Sequence, residues 1–207
     1  DEAGVSGLAW AEQHGMAMAS VAASSARIGD GESMLRRGVI SRANKLAAAC
    51  GVAAGQSVAD AVERLKAAPW PHRKPEPLAE GRALAGHVVC VDSISLADAR
   101  DRGLVVASGS HGGVPAGETA AAFQPALALF NDAGFGFEHA GVAGLALLDK
   151  AGIAGAPVGA LTARIGDGHS TLMQGMLSEV NEAAYRLGAR VGASALALAL
   201  SVAEKAR

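Results

Sequence analysis

The hexapeptide ARIGDG occurs twice, at residues 26–31 and 163–168, and the repetition runs far beyond it. A shift of 137 lays residues 1–70 on residues 138–207 without a gap, and 26 of those 70 positions are identical. In a chain this rich in Ala and Gly, chance supplies roughly seven such matches, so the sequence reads as a duplication whose copies must fold alike. Gly4, Leu8, Gly15 and Val21 align with Gly141, Leu145, Gly152 and Val158. Past the hexapeptide, Ser33, Gly38, Asn44 and Gly51 align with Ser170, Gly175, Asn181 and Gly188.

On this reading the chain holds one complete unit and the second half of another. Residues 1–70 are the half unit and residues 87–207 the complete α/β unit. Residues 71–86 hold the rest of the proline-rich, charged stretch PWPHRKPEPLAEG (69–81) as a linker, and the start of the second unit. The half unit is expected to be completed by a complementary fragment of about 65 to 70 residues, the length set by the repeat, or by another copy in a homo-oligomer.

Half of the residues are hydrophobic but only 3% are aromatic, so the core must be built from Ala, Val, Leu and Ile. That composition suits helices lying close against a sheet. A formal charge of −2 leaves no basic footprint for nucleic acid, and no apolar run is long enough to span a membrane. Cys50 and Cys90 lack metal-ligand or redox spacing and read as free thiols of a cytoplasmic protein. No cofactor is indicated.

Strands are expected at 87–93, 104–108, 126–130 and 153–161, with helices at 116–123, 140–152, 169–188 and 193–206. The helix at 169–188 is expected to be capped by Ser170 and stopped by Gly188. The first half repeats the order: a helix at 3–14, a strand at 16–23, and helices at 34–50 and 57–67. Strands alternating with helices imply a mainly parallel sheet with helices on both faces.

Parallel sheets collect ligands at the carboxyl ends of their strands. Four groups fall there: Asp92; Ser108, Ser110, His111, Gly112 and Gly113 of SGSHGG; Asn131 and Asp132; and Arg164 with Asp167. The glycine-rich turn is expected to offer backbone N–H groups to an anion or oxyanion. His111 is the candidate acid/base, oriented by Asp132 or Asp92, and Ser110 the candidate nucleophile. Asn131 and Asp92 are expected to bind substrate, and Arg164 to clamp an anion. Arg27 and Asp30 repeat Arg164 and Asp167 in the first half. The expected function is therefore acid/base chemistry, of hydrolase or lyase/isomerase type, on a small anionic or carbonyl-containing metabolite. The competing expectation is a non-catalytic anion-binding or assembly protein, its two ARIGDG loops forming a pseudo-symmetric interface.

Overall fold

The computed structural model describes residues 2–71, 76 and 79–205. The expected linker at 69–81 and the final helix at 193–206 fall partly outside those residues, as does His72. The chain divides into two units, Asp1–Leu78 with Gly136–Glu138, and Ala79–Phe135 with His139–Arg207.

The first unit is built from α1 (Gly7–Gln13), β1 (Ala19–Val21), α2 (Gly31–Arg37), β2 (Ile40–Ala43), α3 (Lys45–Ala49) and α4 (Val58–Leu65). β1 and β2 pair antiparallel, and a small core gathers Ile40, Ala47, Val52 and Ala61. Polar side chains start its helices. Asp30, Asn44 and Ser57 each accept a hydrogen bond from the backbone N–H three residues on, satisfying donors that a helix start leaves open.

The single helix expected at 34–50 is instead α2, β2 and α3. Two residues break it. A side chain at Gly38 would collide with the Met34 carbonyl and press on Val58 and Val21, so the backbone turns away there at close quarters. Asn44 then caps a new helix. The helix expected at 169–188 is broken in the same way, by Gly175 and Asn181.

The second unit has a five-stranded sheet in the order β3 (Arg82–Ala85), β4 (Val88–Val91), β5 (Val105–His111), β6 (Leu127–Asn131) and β7 (Ala154–Val158). β3 runs antiparallel to β4, and the other neighbours are parallel. The α/β architecture is thus present, with one antiparallel edge strand that the alanine-rich RALA did not announce. Between the strands run α5 (Val114–Phe123) and α6 (Leu145–Lys150), followed by α7 (Gly168–Gln174), α8 (Glu182–Arg186) and α9 (Ala195–Lys205).

Two cores lie on opposite sides of the sheet. One joins Val105, Leu127, Leu129 and Ala154 to residues of α7, α8 and α9. The other joins Val89, Val106, Ala128 and Phe130 to α5 and α6. The small side chains of α5 permit close approach: a Cβ at Gly117 would sit 2.7 Å from the Gly144 backbone. Among the described residues no helix is long and apolar enough to cross a membrane.

At the shift of 137, the bounds of α2 and α3 coincide with those of α7 and α8. Hydrogen bonds coincide too. Asn44 accepts from Met18 and Ala47 and donates to the Met16 carbonyl; Asn181 accepts from Gly155 and Ala184 and donates to the Ile153 carbonyl. Gly15, Gly29, Gly51 and Gly55 hold positive φ, as do Gly152, Gly166, Gly188 and Gly192. Even the non-glycine positions Glu2 and His139 match, at φ 58° and 54°.

Candidate functional site

Both ARIGDG loops are closed by the same lock. In the first unit Asp30 accepts from the Ser33 N–H at 2.9 Å, while the Ser33 hydroxyl accepts from the Arg27 N–H at 3.1 Å. In the second unit the corresponding distances, for Asp167, Ser170 and Arg164, are 2.8 and 2.9 Å. The cap of α7 is therefore Asp167, not the expected Ser170, whose hydroxyl is occupied in holding the loop and in donating to Gln174. Retention of Asp and Ser in both loops follows from this geometry.

The arginines behave differently. Arg27 donates to Glu138, which belongs to the same unit, at 2.9 Å. The Arg164 side chain is exposed and forms no ion pair or hydrogen bond among the described residues.

In the second unit the structure places Asp92 just beyond β4, where it ties loops together. Its carboxylate accepts from the Gly81 N–H at 2.6 Å and the Gly168 N–H at 3.2 Å. Cys90, two residues earlier, has its thiol pKa pushed up by burial and by the Asp167 and Asp92 carboxylates. Ser108 is buried and its hydroxyl accepts from the Ser110 N–H at 3.0 Å, while the Ser110 hydroxyl accepts from Ile94.

SGSH is not a turn. It is the end of β5, with a register shift between Ala107 and His111. The amide expected to form an anion cradle at Gly112 donates to the Asn131 carbonyl, and the one at Gly113 donates to His111 Nδ1 at 3.1 Å. With the Ser110 amide on Ser108, three N–H groups of this stretch are spent inside the protein. Gly112 pairs with a carbonyl of the neighbouring β6, and the other two donors are taken by side chains of the strand itself.

Because His111 Nδ1 accepts a hydrogen bond, its ring proton sits on Nε2. Burial lowers its pKa from the ordinary value of 6.5, so the ring is neutral at physiological pH. No hydrogen bond joins it to Asp132 or Asp92 among the described residues, so the expected orienting carboxylate is replaced by the Gly113 amide.

β5 and β6 pair His111 with Asn131. Asn131 is fully buried and structural in its contacts, donating to the Ala163 carbonyl and accepting from the Ala133 N–H. Asp132, the next residue, is 3% exposed. Its Oδ1 accepts from the Gly134 and Ala160 N–H groups at 2.8 and 2.9 Å, whereas its Oδ2 accepts no hydrogen bond among the described residues. Among the described residues no buried side-chain oxygen lacks a partner, so Oδ2 retains access to solvent.

The backbone beyond Asp132 is strained: Ala133 and Phe135 hold φ of 50° and 62°, a region that costs roughly 1–2 kcal/mol for residues with a side chain. Such strain collects at functional sites. Sequence reading missed it, because alanine and phenylalanine at these positions give no sign of a left-handed backbone. No protein-family model, curated protein or solved structure matches the chain.

Proposed function

We propose that the second unit is an enzyme that moves a proton on carbon beside a carbonyl group of a small anionic metabolite, the lyase or isomerase form of acid/base chemistry. One observation carries the reading: Asp132, 3% exposed and with an Oδ2 that accepts no hydrogen bond among the described residues, stands one residue past the strand position paired with a neutral histidine. Asp132 takes the proton from the carbon next to the carbonyl. The C–H electron pair forms the C=C bond of an enolate while the carbonyl π pair moves onto oxygen, and the His111 Nε2–H donates to that oxygen as charge develops. Returning the proton to a neighbouring carbon completes an isomerisation. Loss of a β-leaving group completes an elimination. Arg164, exposed and without an ion pair among the described residues, is the cation for the metabolite's anionic group.

The hydrolytic form is less well supported, because Ser110 accepts from Ile94 and has no base hydrogen-bonded to it. A binding role without catalysis rests on Arg164 alone. We further infer that the two matched segments are copies of one unit, supported by the 26 shared residues and by the repeated hydrogen bonds. The free thiols Cys50 and Cys90 support a cytoplasmic setting.

The test is exchange of carbon-bound protons in D2O, followed by NMR over a panel of small oxo- and hydroxycarboxylates. At least one compound is expected to exchange, and Asp132→Asn, which keeps Oδ1 as an acceptor, to slow it by about 10²–10⁴-fold. Absence of exchange across the panel, or an unaffected Asp132→Asn variant, overturns the proposal.

A further inference from the structure

Three hydrogen bonds that the loop before α7 makes with residues of β5, β6 and the turn after β4 are not repeated at the matching positions of the first unit among the described residues. In the second unit the loop before α7 is gripped at three backbone atoms. The Gly166 N–H donates to the Gly109 carbonyl of β5, the Gly168 N–H to Asp92 beyond β4, and the Ala163 carbonyl accepts from Asn131 of β6. At the shift of 137 these atoms are the Gly29 N–H, the Gly31 N–H and the Ala26 carbonyl, and none has a hydrogen bond among the described residues. Ala26 is nonetheless buried. A buried carbonyl without a partner is costly and uncommon.

The apolar faces tell the same story. Leu35 is 49% exposed and Val62 38%, against 8% for Leu172 and 0% for Ala199 at the same positions. β7 is buried along its length; β1 is half-buried throughout. Beside β1 an open groove of about 420 Å³ is lined by Ala17, Leu65 and Trp70, among others. Ala17 corresponds to Ala154 and Leu65 to Val202, and both of those pack in a core with Leu127 of β6. Two of the residues lining the groove thus stand where the second unit has residues that share a core with Leu127, the β6 partner of Ala154.

We infer that the first unit docks a partner polypeptide that adds a parallel strand along the free edge of β1, apolar in its body and ending in Asn, as LALFN does in β6. Main-chain pairing supplies affinity and the alternating side chains supply register. The terminal Asn donates to the Ala26 carbonyl, and the leucine ahead of it enters the groove. A second copy of this chain pairing β1 on β1 would leave the Ala26 carbonyl without that donor, which favours the Asn-bearing strand. The inference rests on the matched geometry of the two units and is independent of the proposed chemistry at Asp132.

The probe is a synthetic peptide with the sequence of residues 124–135, added in excess to the full chain, with amide hydrogen exchange read residue by residue. Backbone N–H groups at 17–22 are expected to exchange about tenfold more slowly or less with peptide bound. Asn131→Ala in the peptide, and Val62→Glu on the exposed face of the chain, are each expected to weaken binding by about tenfold. Absence of protection at 17–22, protection confined to the other open edge at β3, or a chain already dimeric through β1 without peptide overturns the inference.

Discussion

Leu35 and Leu172 occupy one position in two helices that begin on the same cap, follow the same RIGDG loop and end at a glycine, yet one is half exposed and the other is buried. The local hydrogen bonds of the two units are alike, so short-range sequence is sufficient to set them. The surroundings are not alike. In the second unit the sheet strands β4 to β6 lie under α7 and α9; no such strands occur among the described residues of the first. The same local structure thus becomes a core in one place and a surface in the other, and burial, not helix propensity, decides what each residue contributes.

The largest difference is expected at the paired glycines. A Cβ at Gly168 would strike the Val91 carbonyl and crowd the Val91 N–H and the Ala107 carbonyl, all backbone atoms that cannot step aside, whereas at Gly31 it meets open space. Gly168→Ala should cost more than about 4 kcal/mol or abolish folding. Gly31→Ala should be neutral or gain up to about 1 kcal/mol from lost freedom in the unfolded chain. Urea denaturation of both variants checks this, and equal costs would break the comparison.

Next come the leucines. Leu172→Ala removes buried methyl groups and is expected to cost about 2–5 kcal/mol. Leu35→Ala changes an exposed position and should stay within about 0.5 kcal/mol. A large loss at Leu35 would mean that its face is covered in solution.

The smallest effect is on pH dependence and belongs to the second unit alone, since His111 has no counterpart in residues 1–70. Burial lowers its pKa in the folded protein, so the unfolded chain binds the proton more tightly. Stability therefore declines as pH falls below the unfolded value near 6.5, and this contribution levels off once pH passes below the folded pKa. His111→Gln should flatten that part of the stability profile; an unchanged slope would remove the claim that the ring is held neutral.

Much of the frame was legible. The four parallel strands fall within a residue or two of the β-branched and apolar runs, except that β5 continues through SGSH and the last run was drawn too long. The helices at 34–50 and 169–188 were misread because their apolar spacing continues across Gly38 and Gly175. The breaks lie in backbone crowding that only the folded chain creates, although Asn44 and Asn181, good caps at matching positions of the two segments, were a signal at hand. At the site, residue type identified Asp132 and His111 as able to do chemistry. It did not separate Asp132, whose Oδ2 accepts no hydrogen bond among the described residues, from Asp92, whose two carboxylate oxygens both accept from backbone N–H groups. That distinction depends on which loops meet, and residue spacing does not encode it.

Hydrogen exchange of the full chain without any added peptide is the decisive measurement, comparing the amides at 17–21 with those at 154–158, where Pro157 has no N–H. β7 is expected to exchange only with the deepest opening of the second unit, and β1, which pairs with β2 alone where β7 also pairs with β6, at least about tenfold faster. Equal protection of the two strands would contradict that expectation, because the cover supplied by β4 to β6 would then make no difference.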